Sequence, residues 1–319
     1  MPVVHLRRVV TSAFVAWVAV ISACAGGGRA PGSAPDQPEP SGTSLVVVAT
    51  TTILGDVVSH LVGDAASVDV LMPVGADPHD YQPSSQQIAR LQRADLVVTN
   101  GLGLESSLED VLESARADGI RVIAVAELVD PIALGANTID GEAVGLDPHV
   151  WLDPVRMADA VRLIGADLSA IARDGPWEQY AEAYETALRA VDTEIREILA
   201  AVPDDRRKLV TNHESFGYFA RRYGFEQAGV IVPGGSTLSN PSSANLAKLV
   251  EIIKRERIPA IFAETTEPRE LADAVAGEVG PEVVVVELYA GSLGEPGSEA
   301  DTLIGMLRTN AELIADALS

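Results

Sequence analysis

At 319 residues, with 46 acidic against 23 basic side chains and a formal charge of −23, the chain is long enough for two modest domains and argues against nucleic acid as a partner. A single cysteine excludes intramolecular disulfides. The acidity suits solubility and attracts cations, but it names no ligand.

The N-terminal segment reads as an export signal: Arg7 and Arg8, the apolar run VVTSAFVAWVAVI, then ISAC with small residues directly before Cys24. The run is short for a membrane span. ISAC resembles the lipobox of bacterial lipoproteins, which implies a signal over residues 1–23, lipidation of Cys24 and a mature charge of about −25. A plain secretory signal with an incidental cysteine is the alternative. Residues 24–44, rich in Gly, Pro, Ser and Ala, cannot bury enough apolar surface to fold and are expected to be a flexible tether.

From Leu45 onward, short β-branched runs alternate with helix-length amphipathic stretches: LVVVA, VDVLM, DLVVTN and RVIAV, then KLVT, GVIVP, AIFAE and EVVVVEL. Continuous apolar strands between helices predict an α/β fold with parallel sheets covered on both faces. Two lobes are expected, over 45–173 and 204–319, each with its own core. Between them, 174–203 predicts one helix of about 40 Å. Its apolar face is Trp177, Tyr180, Tyr184, Leu188, Val191, Ile195 and Leu199, and Asp174 to Pro176 open it.

Five histidines are present. His5 leaves with the signal, and His60 sits in an amphipathic stretch as a structural or surface residue. The other three fall where loops follow strand ends, the edge at which open α/β sheets bind ligands: His79 in GADPHDYQPS, His149 in LDPHVWLDP, His213 in KLVTNHESFGYFA. Asp-Pro before His79 and His149 restricts the backbone that presents each ring. Three such imidazoles can converge on a metal ion, with Asp77, Asp147 or Asp153 available to hold the non-liganding ring N–H. Any one of them alone would be ordinary loop decoration.

GADPHDYQPS, LDPHVWLDP, TNHESFGYFA, AIFAETTEP and VVVVELYAGSLG with DTLIGMLRTN, in that order, resemble the zinc and manganese solute-binding lipoproteins of bacterial metal-ion ABC transporters. The resemblance spans the chain from Leu45. It implies two Rossmann-like lobes joined by one long rigid helix, a metal site in the interlobe cleft, and ligands at His79, His149 and His213. It also implies a monomer, lipid-anchored on the outer face of the cytoplasmic membrane or in the periplasm, that hands its metal to a cognate permease and does no catalysis. A histidine at 213, where manganese-selective members tend to carry glutamate, favours Zn²⁺ over Mn²⁺ as the bound substrate. The fourth ligand is usually an aspartate, but Gly291 stands at that position. Water or Glu264 is the expected substitute, with Glu287 or Glu295 as further alternatives. No His-rich loop precedes His149. Competing readings are a zinc-dependent hydrolase or hydratase using a three-histidine site with Glu264 or Glu214 as base, and a metal-binding surface adhesin or storage lipoprotein.

Overall fold

The computed structural model describes residues 45–135 and 145–319. The export signal, Cys24 and the tether therefore lie outside the described residues. In chain order the first half forms β1 (Leu45–Ala49), α1 (Thr52–Val62), β2 (Ala66–Val70), α2 (Ser85–Leu91), β3 (Leu96–Thr99), α3 (Glu109–Ala117), β4 (Arg121–Ala124) and α4 (Pro154–Ile171). After α5 (Trp177–Leu199) come β5 (Lys208–Thr211), α6 (Gly217–Tyr223), β6 (Glu226–Val230), α7 (Ser243–Glu256), β7 (Ala260–Glu264), α8 (Glu270–Val279), β8 (Val284–Leu288) and α9 (Leu303–Leu318).

Both sheets are wholly parallel and share one strand order, β2-β1-β3-β4 and β6-β5-β7-β8. All eight predicted strands form. The largest shift is at β6, which lies three residues before the GVIVP run, over Glu226–Val230. It is an edge strand, so a polar start at Glu226 is tolerated there. The pairing of β6 with β5 also slips between Leu209 and Val210, and the apolar Ile231 and Val232 only extend the ladder beyond the strand, through Thr211 and Asn212.

Strands apolar on both faces serve two interiors. In β1 and β3, Val48 and Val97 pack with Leu91 of α2, Leu108 of the turn before α3 and Leu112 of α3, while Val47, Leu96 and Val98 face the other way. In β5 and β7, Val210 and Ile261 pack under α7 and α8, while Leu209 and Phe262 face inward. The inward faces of both sheets meet one central core, completed by α1, α4, α5, α6 and α9. The expectation of one core per lobe is thus replaced by a shared core with an outer cluster on each side.

α5 lies between the two sheets in chain order and packs along α4 and α9, also meeting α1. Its 23 residues span about 34 Å, somewhat less than expected. Pro176 occupies the N-cap position rather than the first turn and gives no side-chain cap. The predicted apolar face is buried except for a half-buried Tyr180, and it also carries Asp192. Among the described residues no helix is long and apolar enough to cross a membrane.

Candidate metal centre

The loops carrying the three histidines all leave the carboxyl ends of strands. His79 follows β2, His149 follows β4, and His213 follows β5. The chain brings them together: one ring nitrogen from each lies within 4.8 Å of the others. His149 Nε2 is 3.3 Å from His79 Nε2 and 3.0 Å from His213 Nε2. The rings are 6%, 1% and 3% exposed for His79, His149 and His213, so solvent does not explain their meeting.

The two Asp-Pro-His segments fold alike. Asp77 Oδ1 accepts the backbone N–H of His79 at 3.0 Å, and Asp147 Oδ1 accepts that of His149 at 2.9 Å. Each aspartate thus closes a small turn over its proline and aims the histidine that follows. The segments diverge at the ring. Asp147 Oδ1 also takes His149 Nδ1 at 2.7 Å, whereas Asp77 turns Oδ2 to the Thr237 hydroxyl at 2.6 Å. Of the three aspartates considered for holding an imidazole, Asp147 is the one that does so. Asp153 instead caps α4 by accepting from Val155 and Arg156 N–H, with Pro154 in the first turn.

His213 is held from behind by Glu264, the last residue of β7. Glu264 Oε1 lies 2.8 Å from His213 Nδ1 and accepts the Ser215 hydroxyl at 2.9 Å. Glu264 therefore stands against the ring nitrogen turned away from the cluster. This corrects its placement as a fourth donor, because its carboxylate meets the back of the ring and does not enter the group of converging atoms. Glu287 is exposed and pairs with Arg269, and Glu295 is exposed, so neither alternative carboxylate joins the cluster. Gly291 does lie beside it: a Cβ built there would be 2.9 Å from Pro78 Cδ and 3.1 Å from Thr266 Oγ1.

The electrostatics follow from burial and these partners. Burial, then the neighbouring His149 and His213, push the His79 imidazole down to about 3. Burial and His213 likewise hold His149 well below the usual histidine range. For His213, burial is outweighed by the Glu264 carboxylate, helped by Asp77 and Glu267, and the net direction is upward. Glu264 moves down, since His213 and Ser215 overcome its burial. Asp147 is pushed up to about 7 by burial, against the pull of the His149 N–H and of His213.

These contacts dictate what the cluster can do. Nδ1 of His149 is directed at Asp147, which places its proton there and turns its Nε2 lone pair toward the other rings. Glu264 Oε1, 2.8 Å from His213 Nδ1 but not aligned with it as a hydrogen bond, attracts a proton to that nitrogen and leaves His213 Nε2 facing His149 Nε2. Two lone pairs at 3.0 Å repel unless a proton or a cation lies between them. A tetrahedral ion with bonds of about 2.0–2.1 Å to nitrogen separates its ligand atoms by about 3.3 Å, close to the spacings found here. The site is therefore prepared for a small divalent cation, with Asp147 and Glu264 contributing negative charge without touching it.

Several supporting residues were not singled out in the sequence. Tyr218 donates its hydroxyl to Asp147 O at 2.8 Å and accepts Ile132 N–H at 3.2 Å, pinning the His149 loop to α6. Asn100, just past β3, donates to Pro148 O at 2.9 Å. A polar residue ending an apolar strand was the available signal for Asn100; Tyr218 looked like one more helix residue. Gly217 is required for a close approach, since a Cβ there would lie 2.5 Å from Asp147 Oδ2. Trp151 packs edge-on to His149 with ring centroids 5.4 Å apart. His60 lies elsewhere, stacked on Tyr184 at 4.2 Å.

Comparison with known proteins converges on this site's chemistry. The family model for the zinc-uptake complex component A, periplasmic, matches residues 47–317. The manganese-binding lipoprotein MntA of Halalkalibacterium halodurans is 30% identical over 308 residues, covering 96% of this chain and 97% of that protein. The iron-binding protein YfeA of Yersinia pestis is 29% identical over 315 residues, 97% of this chain and 96% of that protein. Among solved structures, the periplasmic zinc-binding protein TroA of Treponema pallidum superposes with a TM-score of 0.78 at 32% identity, covering 86% of this chain and 99% of that chain.

Proposed function

The chain belongs to the zinc-uptake component A family of metal-binding, substrate-binding proteins of ABC transporters, and from that premise we propose that its own cargo is Zn²⁺. Family and relatives are transport components rather than enzymes, working on the outer face of the cytoplasmic membrane with a permease and its ATPase. The relatives are named for manganese, zinc or iron, so their names do not choose the metal.

The observation that carries the choice is the donor set: three buried imidazoles, with His149 Nε2 3.3 and 3.0 Å from the Nε2 atoms of the other two, and no carboxylate among the converging atoms of the described residues. Such a nitrogen set favours Zn²⁺, while Mn²⁺ prefers oxygen donors and a larger shell. Asp147 and Glu264 balance the cargo's two charges from behind the rings. His213 supports the same choice, since a carboxylate there would harden the site. In this reading Cys24 carries the lipid anchor, residues 24–44 are the leash, α5 is a stiff spacer between the lobes, and the protein works as a monomer.

Deletion of the gene tests the function. The mutant should grow poorly under zinc chelation and recover with added zinc but not with added manganese. Recovery by manganese alone would overturn the choice of metal.

A further inference from the structure

The segment after β8 touches both histidine loops of the other lobe. Ala290 O accepts the indole N–H of Trp151 at 2.8 Å, two residues past His149. Ser292 Oγ accepts the N–H of Gly75 at 2.9 Å, four residues before His79. Leu293 N–H donates to Thr52 Oγ1 at 3.0 Å, and the Thr52 hydroxyl is 3.3 Å from Ser292 Oγ. Ala290, Ser292 and Leu293 are all buried. Gly291, between them, brings its backbone so close to Pro78, the residue before His79, that a Cβ would sit 2.9 Å from the proline ring. Its φ is not in the left-handed region, so close approach rather than backbone conformation is what requires glycine.

We propose that Ala290–Leu293 is a clasp: a segment of the second lobe that sets the position of both first-lobe histidines at once, and whose release governs how fast the metal leaves. Ser292 and Gly291 are its positioning residues. Neither touches the cargo. Ser292 fixes the start of the His79 loop, Ala290 fixes the loop of His149 through Trp151, and the missing side chain at 291 lets the two lobes seat. A carboxylate at 291 would have to displace Pro78 or Thr266 before it could reach the metal. The inference rests on the three-histidine reading of the site.

The test is zinc release into excess chelator, followed by stopped flow, for wild type, Gly291→Ala, Gly291→Asp, Ser292→Ala and His149→Ala. Overpacking at 291 should speed release about tenfold or more in both glycine variants. Loss of the Ser292 hydrogen bonds should speed it about three- to tenfold. Association rates should stay within about threefold of wild type, so that the lost affinity appears in release; a lower unfolding midpoint is expected from overpacking or a lost buried hydrogen bond, but destabilisation alone would not confine the kinetic change to release. Slower release from Gly291→Asp, or wild-type release from all clasp variants, would overturn the clasp. If Gly291→Ala does not fold, Ser292→Ala decides alone. Wild-type zinc binding by His149→Ala would sink the three-histidine reading itself; lost binding there with unaltered clasp variants would sink only the clasp.

Discussion

His149 shows how one side chain is prepared for a cation. Its Nδ1 and its backbone N–H both go to Asp147 Oδ1, so the ring can neither rotate nor exchange tautomer without breaking a buried contact. The protonation states of its neighbours set a pH dependence. Asp147, raised to about 7, and His213, raised above the usual 6.5, hold protons near and below neutrality that a bound divalent ion must expel. Those protonated forms are lost as pH rises through the raised values. His79 and His149, both lowered, add little until far more acid conditions. Zinc affinity should therefore fall from just below pH 7, earlier than an unperturbed histidine near 6.5 would dictate. Calorimetry in buffers of different ionisation enthalpy should find about one to two protons released per zinc at pH 6. Equal affinity at pH 7.5 and 5.5 would contradict histidine ligation.

Elements hold the loops in place through a chain of ion pairs behind the site. Asp192 of α5 is paired by Arg222 of α6 at 2.6 and 2.8 Å, and Arg222 reaches on to Asp153, the cap of α4, at 3.2 Å. Although burial pushes Asp192 up, Arg222 overcomes it and holds the carboxyl below its usual range. Arg222 of α6, the helix after His213, thereby ties the cap of α4, the helix after His149, and α5 to itself. Arg222→Gln would leave Asp192 with only the exposed Arg196, 3.3 Å away, as its cation, and because the site is partly wetted and that partner remains, the cost should be about 1–2 kcal/mol, below that of a fully buried pair. Urea unfolding at neutral pH checks this, with an unchanged midpoint as the opposing result. Sequence periodicity showed the buried face of α5, but not that Asp192 lies on it; a charged residue within an amphipathic repeat reads as solvated until its partner, thirty positions away, is seen.

At the scale of the molecule, the alternation of strand and helix was legible, as were the three histidines, because Asp-Pro restricts the backbone in a way that sequence displays. The position of β6 was misjudged because its apolar run marks the continuation of a ladder rather than the strand. The shared core was not legible: periodicity tells which face is apolar, not which sheet it meets. The clasp was hidden for a related reason, since its contacts join residues 217 and 241 positions apart and each has a backbone N–H as its donor. Glu264 was found as a site residue but assigned the wrong side of His213, a distinction that only ring orientation makes. Together these features support the proposal that three imidazoles brought together by loops of the two lobes hold a zinc ion that is carried, not used. X-ray absorption at the zinc edge of the loaded protein tests it most directly. The expected result is a four-coordinate shell dominated by three imidazole nitrogens at about 2.0–2.1 Å; an oxygen-rich shell of five or six ligands, or fewer than three imidazoles, would contradict zinc held by three histidines.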